Sequence, residues 1–367
     1  MEPTSSLTVA CVVLAFAVGI GVTVATWDRP RWAWGRRITA VAACQLLLSS
    51  AVLLEINHLY DFVPTWSYLV GASPSAGTRD QPGRLDQRLY ALAAGLRRPG
   101  HGVVLPWIFA GGHSGIIREA EVYLPAAYFD PGERTTAFPV LELFSGVPGS
   151  PLSWTASLHL GRVLDREIAT GRVAPLVAVV PAINGGEFSD TECVNVVHGE
   201  QDDTYLTTDL RTALVRDFRI RRDRRGWAMA GYSTGGYCAL NLAFRHPALY
   251  TAAASLSGNF APYLDATTGA LFGSSVRLEH ANDPLWEARL GSVPPVALYL
   301  ATAADDVGTV EQLRSFLAEL RSATPPTIVI VASGGHSTGV WRALEAPMLD
   351  WLSAQLGSPA AARAPLR

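Results

Sequence analysis

The feature that most constrains this chain is six residues long: Gly231-Tyr232-Ser233-Thr234-Gly235-Gly236. An apolar run, Trp227-Ala228-Met229-Ala230, leads into it, and an Ala- and Leu-rich stretch from about Gly235 to Arg245 leads out. A G-x-S-x-G turn in that setting joins a buried strand to a helix through backbone so tight that the residues flanking the serine must be small. Gly231 and Gly235 meet that need. The turn lifts a hydroxyl clear of the carboxyl edge of a sheet, above a helix N-terminus that favours developing negative charge. Ser233 is therefore the candidate nucleophile.

Such a turn requires a sheet to carry it. Short apolar runs occur at Ile116–Leu124, Val140–Phe144, Leu176–Val180, Trp227–Ala230, Ala252–Leu256, Val296–Ala301 and Thr327–Val331. Between them, Asp209–Arg219, Thr309–Arg321 and Val340–Leu352 carry apolar residues at helical spacing, the last with Pro347 inside it. Near-continuous apolar strands separated by helices predict an α/β domain with a mostly parallel sheet covered on both faces.

A serine needs a base, and the base needs an orienting carboxylate. His336 lies in Ser333-Gly334-Gly335-His336-Ser337-Thr338-Gly339, between the last strand and the last helix. His246 closes the helix after the serine, and His280 comes before the acidic candidates; the remaining histidines precede Ser233. The acid falls between serine and base, at Asp305 or Asp306, just after the strand Val296–Ala301. Asp305 is preferred because it is nearer the strand end, with Asp306 a close alternative; one of the two is free to serve the N-terminus of the following helix. Two backbone N–H donors are needed for an oxyanion. Thr234, directly after the serine, supplies one. The loop Leu143–Ser150 supplies the other, from Val147 first and Gly146 second, since Pro148 has no N–H.

The N-terminal part is different in kind. No charge occurs between Glu2 and Asp28, and uncharged apolar runs cover Leu7–Thr26 and Ile38–Leu54. These predict two membrane spans, about 5–26 and 38–56. Four arginines, Arg29, Arg31, Arg36 and Arg37, fall between them and assign that loop to the cytoplasm. Both outer ends then face away from it, so the chain is a two-span protein of the cell membrane with an extracytoplasmic catalytic domain. A cleaved signal peptide would carry positive charge at its start, where this chain has Glu2. The resulting plan is an anchor over 1–70, a linker over 71–100, the α/β domain over 101–356 and a disordered tail over 357–367. A net charge of −3 offers no footprint for nucleic acid.

With these residues in hand, the chain resembles the esterase family of the α/β-hydrolase fold that includes S-formylglutathione hydrolase (esterase D), feruloyl esterases and the mycolyltransferases of the antigen 85 complex. The resemblance runs from about His101 to Leu352. It is carried by Val122-Tyr123-Leu124-Pro125, Phe144-Ser145-Gly146, Gly231 to Gly236, His246-Pro247, Ser255-Leu256-Ser257-Gly258 and Gly335-His336 with Trp341 behind it. Two spans ahead of such a domain resemble actinobacterial membrane esterases of the family. Ser145 stands where many members carry His and the mycolyltransferases Asp, which leaves the subclass open. The resemblance implies acyl transfer through a covalent serine intermediate on a small-molecule, lipid or sugar ester, without cofactor or metal. Water as acceptor gives an esterase, the preferred reading; a sugar or lipid alcohol gives an acyltransferase. A catalytically silent, membrane-tethered binding domain is the alternative from another class. Nothing in the sequence bears on oligomeric state.

Two weaker signals remain. Cys193 and Cys238 would share an oxidising compartment, so they are either bridged or two buried thiols. The acidic run Glu187, Asp190, Glu192, Glu200, Asp202 and Asp203 lacks calcium-loop spacing and reads as a solvated loop.

Overall fold

The computed structural model describes residues 2–28, 33–60, 63, 65–66, 89–186, 189–291, 293–322 and 324–361. The chain divides into two compact units, Met1–Ser73 and Pro74–Arg367.

The first unit is a helical hairpin, α1 (Ser6–Thr26) and α2 (Ala33–Tyr60). The helices pack against each other at Gly19, where a Cβ would make ordinary contact with Cys44 Sγ at 3.5 Å. Arg37 donates to the Trp27 carbonyl at 2.9 Å near the turn, and His58 Nδ1 lies 2.6 Å from the Thr4 carbonyl at the open end. Leu14, Val24, Leu46 and Leu53 point outward. Both helices are long and apolar enough to cross a membrane.

The second unit is built on eight strands: β1 (Val103–Ala110), β2 (Ile117–Leu124), β3 (Val140–Phe144), β4 (Val177–Pro181), β5 (Trp227–Tyr232), β6 (Ala252–Leu256), β7 (Ala297–Ala303) and β8 (Thr327–Val331). Their order across the sheet is β1-β2-β4-β3-β5-β6-β7-β8. Only β2 runs against its neighbours; every pair from β4 to β8 is parallel. Every residue of β3 to β6 is buried, because both faces are covered, which is why these strands read as continuous apolar runs. Alternate residues feed two cores. Val140, Val177 and Met229 pack beneath α4 (Arg211–Asp217), α5 (Thr234–Arg245) and α6 (Val307–Glu319). Leu141, Ala178 and Ala230 pack against α3 (Leu160–Ala169) and α7 (Thr338–Gln355).

The structure corrects the sequence reading in several places. β1 was not anticipated: Pro106 interrupts its pattern, but β1 is an edge strand, where a missing N–H costs no ladder bond. The expected linker 71–100 ends too late. Leu89 and Ala93 are fully buried in the core and Tyr90 packs edge-on to Phe129 at 5.5 Å, so residues 89–94 belong to the domain; residues 71–88 lie outside the described residues. The expected tail starts later than 357, because Gly357 N–H bonds to the Arg225 carbonyl and Ala360–Ala361 pair with Thr136–Ala137. The expected helix Asp209–Arg219 is a π-helical turn, Tyr205–Leu210, running into α4 and stopping at Asp217.

Candidate active site

Ser233 sits between β5 and α5 with φ 54° and ψ −129°, a conformation that few non-glycine residues adopt. The surroundings enforce it. A Cβ on Gly231 would lie 2.1 Å from the Gly235 carbonyl oxygen, and one on Gly235 would lie 2.2 Å from that of Phe144. Ser233 N–H bonds to the Leu256 carbonyl at the end of β6, which fixes the turn to the sheet.

Three chain segments meet at the serine hydroxyl. His336 Nε2 lies 2.9 Å from Ser233 Oγ, and His336 Nδ1 lies 2.9 Å from Asp306 Oδ2. The three residues follow β5, β7 and β8, all at the carboxyl edge of the sheet. Trp341, one turn into α7, meets the His336 ring edge-on at 5.2 Å and stacks on Tyr232 at 4.2 Å, so the imidazole is buttressed from the helix that follows it. Burial pushes the Asp306 carboxyl up, but its bonds to His336 and Thr309 and the charge of His336 outweigh this and hold it below the ordinary range.

Asp305, preferred from the sequence, is not the partner of His336. β7 continues to Ala303, past the expected end at Ala301. Asp305 therefore falls in the turn, and Asp306 takes the cap position of α6 facing the imidazole. Asp305 accepts instead from the N–H groups of Gly334 at 3.1 Å and Gly335 at 2.8 Å. Those two bonds hold its carboxyl low and fasten the loop that presents His336.

The loop after β3 also reaches the serine. A Cβ on Gly146 would lie 2.9 Å from that of Ser233, so only glycine permits this approach. Val147 and Thr234 line the same cleft as Ser233 and His336. The cleft has a volume of about 570 Å³, and its remaining wall includes Asp190, Asn259, Tyr263, Asp265, Thr267 and Gln312.

The acidic run is not a solvated loop. Asp190, Glu192, Asp202 and Asp203 are all buried. Asp202 pairs with Arg118, and Asp203 with Arg245 at 2.9 Å and His246 at 2.6 Å. Glu187 lies outside the described residues. Asp190 enters the cleft and accepts from Thr234 Oγ1 at 3.2 Å, a contact with no signal in the sequence beyond the nearby cysteines. Those cysteines are joined: Cys193 and Cys238 form a disulfide with their Cα atoms 5.6 Å apart. No group of three or more His, Cys, Asp or Glu among the described residues is placed to hold a metal ion.

Comparison with known proteins gives the family and the fold. The family model described as Putative esterase matches residues 117–303. An uncharacterised protein of Corynebacterium glutamicum is 29% identical over 65% of this chain and 58% of its own length. An endo-1,4-beta-xylanase/feruloyl esterase of Xylanibacter ruminicola is 26% identical over 47% of this chain and 23% of its own length. The chain thus spans less than two thirds of either relative. Among solved structures, a ferulic acid esterase superposes with a TM-score of 0.61 at 21% identity, over 70% of this chain and 99% of that one. An S-formylglutathione hydrolase from Agrobacterium tumefaciens gives 0.59 at 16%, over 71% and 98%, and MPT51 of Mycobacterium tuberculosis 0.54 at 19%, over 70% and 97%. At these identities the superpositions show a common fold.

Proposed function

We propose that the chain, which belongs to the putative esterase family, is a carboxylic ester hydrolase working through a Ser233–His336–Asp306 triad, outside a membrane crossed by its N-terminal hairpin. The observation that carries the mechanism is the unbroken chain of 2.9 Å contacts from Ser233 Oγ through the imidazole to Asp306.

His336 Nε2 takes the serine proton as Ser233 Oγ attacks the ester carbonyl, while Asp306 keeps Nδ1 protonated and stabilises the imidazolium. The N–H groups of Thr234 and Val147 receive the oxyanion, with Gly146 allowing the close approach. His336 then protonates the departing alcohol. A water molecule, deprotonated by the same nitrogen, releases the acid and restores the serine. The extracytoplasmic placement is supported by the four arginines between the two apolar helices and by the Cys193–Cys238 bridge, which suits an oxidising compartment.

Acyl transfer to a sugar or lipid alcohol is a second reading with one observation in its favour. Asn259, Thr267 and Gln312 bring hydrogen-bonding groups into the cleft, where an acceptor hydroxyl would have to be held in competition with water.

The test is fluorophosphonate labelling of the full-length protein in detergent, with the modified residue mapped by mass spectrometry. The label is expected on Ser233 and is lost in Ser233→Ala and His336→Ala. A folded protein that takes no label would overturn the triad and favour a silent binding domain. Labelled protein is then assayed on ester substrates with and without added sugars; acylated sugar in place of free acid would establish the transferase.

A further inference from the structure

We propose that Asp190 is a positioning residue for the reaction: by holding the Thr234 hydroxyl it aims the Thr234 backbone N–H at the oxyanion. The proposal rests on the serine-esterase reading above and extends it to a residue that lies outside the triad.

Thr234 is the first residue of α5. Its N–H is useful only if the first helical turn is held in one orientation, because catalytic groups lose much of their effect when displaced by an ångström. The backbone on the serine side is fixed by the sheet. On the outer side, the side chain of Thr234 is fastened to Asp190 Oδ2 at 3.2 Å.

Asp190 is itself held from three directions. Its Oδ1 accepts from Glu192 N–H at 2.8 Å, its own N–H donates to the Thr267 carbonyl at 3.1 Å, and three residues on Cys193 is bonded to Cys238. Cys238 and Thr234 are four residues apart in α5 and so share one face of it. The segment 190–193 therefore grips the start of α5 twice, once covalently and once through Asp190. It does so with Glu192 at φ 50° and Cys193 at φ 53°, left-handed conformations that neither residue favours and that persist only where the surroundings impose them. Glu192 in turn accepts from Tyr263 N–H at 3.2 Å, which joins a second lining residue of the cleft to the same anchor. Burial raises the Asp190 carboxyl above its ordinary range, as fits a group placed to make hydrogen bonds away from bulk water.

The experiment is a double-mutant cycle on the full-length protein, using a nitrophenyl ester for steady-state kinetics and a fluorophosphonate for the labelling rate. Asp190→Ala and Thr234→Val are each expected to lower kcat about tenfold, a fraction of the loss caused by deleting an oxyanion donor outright, with KM within about twofold. The double variant should be no slower than the slower single one, since both changes break the same link. Asp190→Asn retains one oxygen, which turned to Thr234 keeps that link, and should recover most of kcat; if Asp190→Ala fails to show a cooperative melt, Asp190→Leu, similar in size and without an acceptor, replaces it in the cycle. Losses that multiply in the double variant, a loss confined to KM, or wild-type kcat in Asp190→Ala would each overturn the positioning role while leaving the esterase intact. A wild-type protein with neither label nor ester turnover would instead remove the enzyme reading, and the positioning role with it.

Discussion

A serine held at φ 54° costs about 1–3 kcal/mol in backbone strain, and the contacts around Gly231 and Gly235 show what maintains it. This part of the site was legible in the sequence because the constraint is local: only small residues fit, and they sit next to the serine. The carboxylate that meets His336 was legible only to within two residues. Asp305 and Asp306 both follow the right strand, and which one faces the histidine depends on where β7 ends, a property of sheet pairing rather than of local sequence. The structure makes the two separable by experiment. Asp306→Asn should lower kcat by about 10³–10⁴-fold, as expected when a triad histidine loses its orienting carboxylate. Asp305→Asn keeps an acceptor for one glycine N–H of the histidine loop and should cost less than about tenfold by the hydrogen-bond scale. Matched steady-state kinetics on the two variants decide it, and equal losses would reject the assignment. Asp190 had no comparable signal, because its partner is 44 residues away.

Among the elements, the fully buried parallel strands were recognised from their unbroken apolar runs, whereas β1 was missed because an edge strand tolerates Pro106 and alternates with solvent. Burial in the central strands has an electrostatic cost at Glu142. Desolvation lifts its carboxyl to about 8, against the opposing pull of Arg211 and the Tyr250 hydroxyl. The folded state then keeps a proton that the unfolded chain releases near the ordinary value of 4.5. Stability contributed by this group is present at low pH and lost as pH rises across that window, by at most about 1.4 kcal/mol per pH unit. Thermal melts from pH 5 to 8 should show a shallower decline for Glu142→Gln than for the wild type; parallel curves would mean that Glu142 is ionised in the fold. The bridge between Cys193 and α5 makes a second prediction at this scale. Reduction should slow fluorophosphonate labelling of Ser233 without abolishing it, because the proposed triad is assembled from other segments. Labelling rates measured before and after a thiol reductant test this, and an unchanged rate would show that the bridge does not act on the elbow.

At the level of the whole molecule, composition separated an apolar hairpin from an α/β domain, but the exact start of the domain depended on burial that composition does not report. Leu89 and Ala93 fill the core from what reads as a polar linker. A chain beginning at residue 89 should therefore melt higher than one beginning at residue 101, by an amount equivalent to the about 2–3 kcal/mol gained on burying a leucine. Equal melting temperatures would return residues 89–100 to the linker.

The sheet order has a consequence for biosynthesis. Ser233 and its proposed base, His336, are 103 residues apart, and β6, β7 and β8 must be laid down between them. Polypeptides emerge N-terminus first, so the elbow is made long before His336 exists. Until His336 has been added, Ser233 lacks its proposed base and is an ordinary alcohol, with no imidazole placed to take its proton. The proposed triad can therefore assemble only after the last strand of the sheet has been added, and a nascent chain stalled before that point carries no activated serine.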